Sequence, residues 1–167
     1  SLESELGKGT TVRLLLPVGR PDPEDGARAT LPSEPQRDSR HALRVLLVDD
    51  EDLVRRGTAR LLTRIGHEVT EARDGYDAVR KYRDASPRPD VVILDLHMPV
   101  LDGADTFLLL RGIDPEVRVV LVSGLWERAV EQRLRNEGAL AFLEKPFQPE
   151  ILIDTMTRIA ALPARTS

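Results

Sequence analysis

Between Arg44 and Ala161 the chain repeats one pattern five times: a short apolar run, a polar stop, then apolar residues at helical spacing. The runs are Val45–Val48, Glu68–Ala72, Val91–Leu94, Val117–Val122 and Leu140–Leu143. Unbroken β-branched runs of this length suit strands buried on both faces, as in a parallel sheet covered by helices. The helical segments carry Val54, Thr58, Leu61, Leu62 and Ile65; Ala78, Val79 and Tyr82; Phe107, Leu108 and Leu110; Ala129, Val130 and Leu134; and Leu152, Met156 and Ile159. Gly66 and Gly138 stop two of them, Asp74-Gly75 and Asp102-Gly103 open two, and Pro149 opens the last at a first-turn position. Strict β-α alternation with right-handed crossovers gives an α/β fold, a doubly wound (βα)5 parallel sheet of five strands.

In such a sheet every strand ends on one edge, and ligands bind beyond that edge. The residues arriving there are Asp49 and Asp50, Asp95, Ser123 and Lys145. Three carboxylates repel one another in a small site, and a divalent cation removes the conflict. Mg²⁺ suits a few carboxylates together with water and phosphate oxygens. There is no cysteine and no His pair at metal-ligand spacing, which argues against zinc. With Lys145 as a mobile cation and Ser123 as a hydroxyl donor, the set describes phosphoryl transfer onto an Asp nucleophile. Taken singly, Asp49 and Asp50 could simply cap the first helix, Ser123 could close a turn and Phe142 could be an ordinary core aromatic. The side chain of His97 is expected at the surface, and so is Trp126, at the start of a helix.

Composition narrows the class further. A formal net charge of −4 disfavours general binding to nucleic acid or to anionic membranes. No apolar run approaches the ~20 residues of a membrane helix, and no signal-peptide pattern opens the chain. A cytoplasmic protein without membrane insertion is expected, and the Ser at position 1 suggests a fragment.

Val48-Asp49-Asp50-Glu51, Asp95-Leu96-His97-Met98-Pro99, Asp102-Gly103, Ser123-Gly124 and Lys145-Pro146-Phe147 occur in order, each of the strand-end members in its place. Together they closely resemble the receiver domain of response regulators in two-component signalling, over residues 44–162. The resemblance implies a flavodoxin-like strand order 2-1-3-4-5. It implies that Asp95 accepts a phosphoryl group from a histidine kinase. Asp49, Asp50, Asp95 and the backbone carbonyl of His97 would hold Mg²⁺. Lys145 would pair with Asp95 and then with the phosphoryl oxygens. Ser123 would move to bind the phosphoryl group and Phe142 would respond as the switch aromatic. Lys145-Pro146 would be a cis peptide.

The first 43 residues differ in character. Gly7-Lys8-Gly9 separates two strand-like runs, Leu2–Leu6 and Thr11–Leu16. Residues 1–17 resemble the last hairpin of the ATP-binding domain of sensor histidine kinases, in which the Thr matching Thr10 lies near the adenine. The Asn-rich and Gly-rich ATP motifs of that domain are missing, so this piece is expected not to bind ATP alone. Residues 18–43, with Pro21, Pro23, Pro32 and Pro35 among charged residues, read as a linker, and 163–167 as a tail. His67-Glu68-Val69-Thr70 resembles a histidine-kinase phosphodonor box, but it opens a short strand and is read as structural.

The reading this supports is the receiver domain of a hybrid sensor histidine kinase in a phosphorelay, a regulatory phosphoacceptor within a parent kinase. Its partners would be a histidine-kinase phosphodonor domain, in cis or in trans, or a histidine phosphotransfer protein. Oligomeric state is open. The alternatives are a single-domain response regulator, an Asp-based phosphatase and a binding-only pseudo-receiver. The phosphatase needs Asp-x-Asp where this chain has His97, and the intact Asp95 and Lys145 oppose the last.

Overall fold

The computed structural model describes residues 42–163 in full, together with the backbone of two short strands nearer the N-terminus. The chain divides into two compact units, Ser1–Ser33 and Glu34–Ser167. In the first, β1 (Leu2–Glu5) pairs antiparallel with β2 (Gly9–Val12), Leu2 opposite Val12 and Glu5 opposite Gly9. The expected hairpin is present with its second strand starting two residues early. The proposed extension of that strand to Leu16, and nearly all of the linker and tail, lie outside the described residues.

The second unit follows the five-fold pattern. Its elements are β3 (Arg44–Val48), α1 (Asp52–Arg64), β4 (Glu68–Ala72), α2 (Gly75–Asp84), β5 (Val91–Asp95) and α3 (Gly103–Ile113). They continue with β6 (Val119–Ser123), α4 (Arg128–Asn136), β7 (Ala141–Glu144) and α5 (Pro149–Ala160). The strands pair in parallel in the order β4-β3-β5-β6-β7, which is 2-1-3-4-5 counted within this unit.

Alternation along the strands builds two cores. Leu46 and Val48 of β3 and Val92 and Leu94 of β5 face α2, α3 and α4, packing with Tyr82, Phe107, Leu110 and Leu134. Val45, Leu47, Val91 and Ile93 face α1 and α5, packing with Leu62, Leu152, Met156 and Ile159. A fully buried side chain of this size contributes about 1.5–3 kcal/mol. At the starting edge Arg44 holds β3 against β5 by a forked pair with Asp90, at 2.6 and 3.0 Å.

Two strand starts and one helix face depart from the sequence reading in ways that packing explains. β6 begins at Val119, because Val119 is the residue in register with Val92; Val117 instead closes a turn onto Asp114 and is buried there. β7 begins at Ala141 rather than Leu140. Ala129 is exposed, since Val130 and Leu134, one helical turn apart, carry the inward stripe of α4.

Glycines punctuate where the backbone demands it. Gly66 and Gly138 lie at φ +101° and +95°, the left-handed conformation that ends a helix. Gly103 answers a different need. A Cβ there would sit 2.2 Å from the carbonyl oxygen of Asp95 and 2.6 Å from Cα of Leu96. The first turn of α3 therefore presses directly on the end of β5, and Gly103 N–H donates to Leu96 O at 2.9 Å.

Candidate functional site

Four of the strand-end residues, Asp49, Asp50, Asp95 and Lys145, converge. β3 delivers Asp49, β5 delivers Asp95, and the two strands are hydrogen-bonded neighbours in register. Asp49, Asp50 and Asp95 each offer a carboxylate oxygen within 4.8 Å of the others. Asp49 and Asp95 are buried, at 4% exposure each, while Asp50 faces solvent. Lys145 reaches over from the end of β7, its Nζ donating to Asp49 Oδ2 and Asp95 Oδ2, both at 2.8 Å. Burial alone would lower the Lys145 pKa; hydrogen bonds and charge attraction from Asp49 and Asp95 outweigh it and hold the pKa above the ordinary value. The ammonium is thus fixed as a cation between two buried carboxylates.

The Asp49-Asp50 loop is stapled rather than capped. Glu51, not either Asp, occupies the position before α1. Asp49 Oδ1 accepts from Glu51 N–H at 2.8 Å, and Arg55 donates to the Asp49 carbonyl at 2.8 Å while pairing with Asp52 and Glu71. Asp95 Oδ1 in turn accepts from His97 N–H at 3.3 Å. Asp102 does cap α3, accepting from Asp105 N–H at 2.8 Å. Lys145-Pro146 is cis as expected, and Ser86-Pro87 is cis as well.

Ser123 lies at the end of β6 with no exposure. Its Oγ donates to Leu125 O at 2.6 Å, accepts from Leu125 N–H at 3.1 Å, and lies 3.2 Å from His97 Nδ1. His97 is exposed, as expected, but this contact to Ser123 is not written in any spacing. Trp126 corrects the sequence reading: it precedes α4 and is half-buried, its ring meeting Phe142 edge-on, centroids 5.1 Å apart at 77°. The Arg135 guanidinium also stands over Phe142, 4.6 Å from the ring centroid. His67 precedes β4, at the edge of the sheet away from the carboxylates, with its Nδ1 accepting from Leu43 N–H at 3.2 Å. Burial lowers its pKa. That geometry supports its structural reading.

An apolar groove of about 670 Å³ borders the site but does not cover the carboxylates. It runs between α1 and the β7–α5 connection, lined by Leu53, Val54, Leu61, Pro146 and Phe147, with Leu53 87% exposed.

Residues 45–157 match the family model described as the response regulator receiver domain. The chain belongs to that family. The chemotaxis protein CheY of Thermotoga maritima is 33% identical over 118 residues, which cover 70% of this chain and 97% of that protein. The sensor kinase CckA of Brucella abortus is 35% identical over 158 residues, 92% of this chain, and the chain spans only 17% of CckA's length. Among solved structures, the chemotaxis protein CheY4 of Vibrio cholerae superposes with a TM-score of 0.66 at 32% identity, covering 71% of this chain and 98% of that one. The CheY of Borrelia burgdorferi, solved in a complex with CheX, BeF₃ and Mg²⁺, superposes with a TM-score of 0.68 at 27% identity.

Receiver domains take phosphate from histidine kinases and bind Mg²⁺ at an acidic pocket. The donor set here fits that ion: oxygen ligands only, converging, and carrying more negative charge than one lysine balances. No helix among the described residues is long and apolar enough to cross a membrane.

Proposed function

We propose that residues 44–162 form the phosphoacceptor receiver of a hybrid sensor histidine kinase, with Asp95 as the acceptor. The observation that carries this is the Lys145 ammonium bridging Asp49 and Asp95 at 2.8 Å, with Asp50 completing the carboxylate cluster. In the transfer, an Asp95 carboxylate oxygen attacks phosphorus. The phosphorus–nitrogen bond of a phosphohistidine breaks, and the imidazole departs with the electron pair and takes up a proton. Asp49, Asp50, Asp95 and the His97 backbone carbonyl would hold Mg²⁺, which when bound neutralises the phosphoryl oxygens. Lys145 exchanges its contact with the Asp95 oxygen for one with the phosphoryl group. Ser123 donates its hydroxyl to the phosphoryl group after leaving Leu125, and Phe142 repacks as the switch aromatic.

A phosphodonor domain has to lie against Asp95, and the exposed apolar groove beside Lys145 is an adjoining surface such a partner would cover. That donor would be the attached kinase or a histidine phosphotransfer protein, in the cytoplasm. The hybrid setting is supported by the CckA match, which extends over 92% of the chain and so beyond the receiver, and by the β1–β2 hairpin. On this reading residues 1–17 are the end of a kinase ATP-binding domain, 18–43 the linker and 163–167 a tail. The CheY matches, which cover nearly all of those proteins, favour a stand-alone regulator as the second reading.

Incubation with Mg²⁺ and acetyl phosphate, followed by intact mass, tests the acceptor. One labile phosphate adduct is expected, lost in Asp95→Asn. An undiminished adduct in that variant would refute the assignment.

A further inference from the structure

We propose that the His97 side chain is a positioning residue for Ser123, a latch that holds the hydroxyl in its resting place and is released on phosphorylation. This rests on Asp95 being the phosphoacceptor. Ser123 Oγ has one proton, and the 2.6 Å contact to Leu125 O takes it. Leu125 N–H fills one lone pair at 3.1 Å, and His97 Nδ1 at 3.2 Å lies in place to fill the other. The network therefore assigns the proton of the ring to Nδ1, donating to Ser123. In this arrangement the hydroxyl is fully satisfied and turned toward the β6–α4 loop.

To serve a phosphoryl group on Asp95 the hydroxyl must redirect its proton. That step breaks the bond to Leu125 O and loosens both bonds it accepts. The latch thus opposes occupancy of the site. His97 is suited to letting go, because its ring is exposed and lines a groove of about 440 Å³ with Leu125 and Val130, into which it can swing. The substituent acts without touching the chemistry of the backbone, since the His97 carbonyl and N–H remain in any variant. A hydrogen bond of ordinary net strength changes an equilibrium roughly two- to tenfold. That is the size of effect a latch of this kind exerts.

The test compares His97→Leu, which removes the donor, with His97→Asn, whose side-chain amide can stand where Nδ1 stands. Each is made alone and with Ser123→Ala. The first readout needs no phosphoryl group: exchange of the Leu125 amide, which is faster in His97→Leu and restored in His97→Asn if the link exists. The second is apparent affinity for beryllofluoride with Mg²⁺, followed by the rise in Tm on binding, a readout that does not pass through Ser123. Affinity rises roughly two- to tenfold in His97→Leu, returns toward the parent value in His97→Asn, and is indifferent to position 97 once Ser123 is Ala. Weaker binding in His97→Leu, or the same change with and without the Ser123 hydroxyl, would overturn the latch. Absence of any beryllofluoride response in the unsubstituted protein would instead strike at the receiver reading, and the Leu125 amide would still decide the latch.

Discussion

Replacing Asp50 by Asn should make the ion-free protein more stable and its response to Mg²⁺ weaker. Asp50 contributes the exposed member of a cluster whose three carboxylate oxygens lie within 4.8 Å of one another. Lys145 is committed to Asp49 and Asp95, and among the described residues the Asp50 carboxylate has no ion pair or side-chain hydrogen bond. Two unit charges at this separation repel by about 0.9 kcal/mol in bulk water and about 3.5 kcal/mol at an effective dielectric of 20. The exposed position belongs near the lower figure, and Lys145 offsets part of the two repulsions. A gain of about 1 kcal/mol remains, which for a domain of this size is a rise in Tm of roughly 3–6 °C. Mg²⁺ works the other way. At a hundred times its dissociation constant a native-state ligand adds about 2.7 kcal/mol, and the variant, one carboxylate short, collects less of it. Thermal melts in EDTA and across a Mg²⁺ titration should therefore show the two curves approaching and then crossing. A lower Tm for Asp50→Asn in EDTA, or equal Mg²⁺ responses, would refute the argument.

Three further outcomes follow from single residues. Gly103→Ala places a methyl 2.2 Å from the Asp95 carbonyl oxygen, a backbone atom that cannot yield cheaply, so a loss of about 3 kcal/mol or more is expected in denaturant melts. Val100, β-branched, 90% exposed and at φ +73°, bears left-handed strain with no burial to offset it; Val100→Gly should raise stability by about 0.5–1 kcal/mol. His67 has a pKa held below its ordinary 6.5 by burial, so its stabilising contribution is complete above pH 6.5 and is lost as the pH falls toward the folded-state value. Protonating Nδ1 would also cost the bond from Leu43 N–H, and in melts between pH 7.5 and 5.5 His67→Asn should lose stability less steeply than the parent.

The fold and the convergence of Asp49, Asp95 and Lys145 were legible in the sequence for a shared reason. Strands buried on both faces leave an unbroken apolar signature, and in a parallel sheet the residue after that run is delivered to one edge. Asp49, Asp95 and Lys145 are therefore placed by topology alone, and the structure brings them to 2.8 Å. Strand limits were less legible because the partner decides them: Val117 is as apolar as Val119, yet only Val119 stands opposite Val92. Contacts between loops left no periodic trace. Nothing in the spacing of His97 and Ser123, or of Trp126, Arg135 and Phe142, marks them as neighbours. Asp102-Gly103 was readable as a helix start, but the collision that forbids a side chain at Gly103 depends on how closely α3 approaches β5.

That approach gives the site a hard wall and a soft one. On the α3 side of β5, backbone meets backbone with no space for a single methyl at Gly103, and a methyl at Gly75 would run into Thr106 and Leu101. Toward α4 stand an exposed imidazole and a half-buried aromatic pair, and a groove lies between α4 and the first turn of α3, lined by Val130 and Arg133 on one side and Asp102 and Ala104 on the other. Were Asp95 to carry an added group, as proposed, that group would meet close-packed backbone on one side and looser side-chain packing on the other. On the proposed acceptor role of Asp95, the fold would rectify the disturbance: Gly103 would act as the anvil, and displacement would leave through Ser123 toward Trp126 and Phe142.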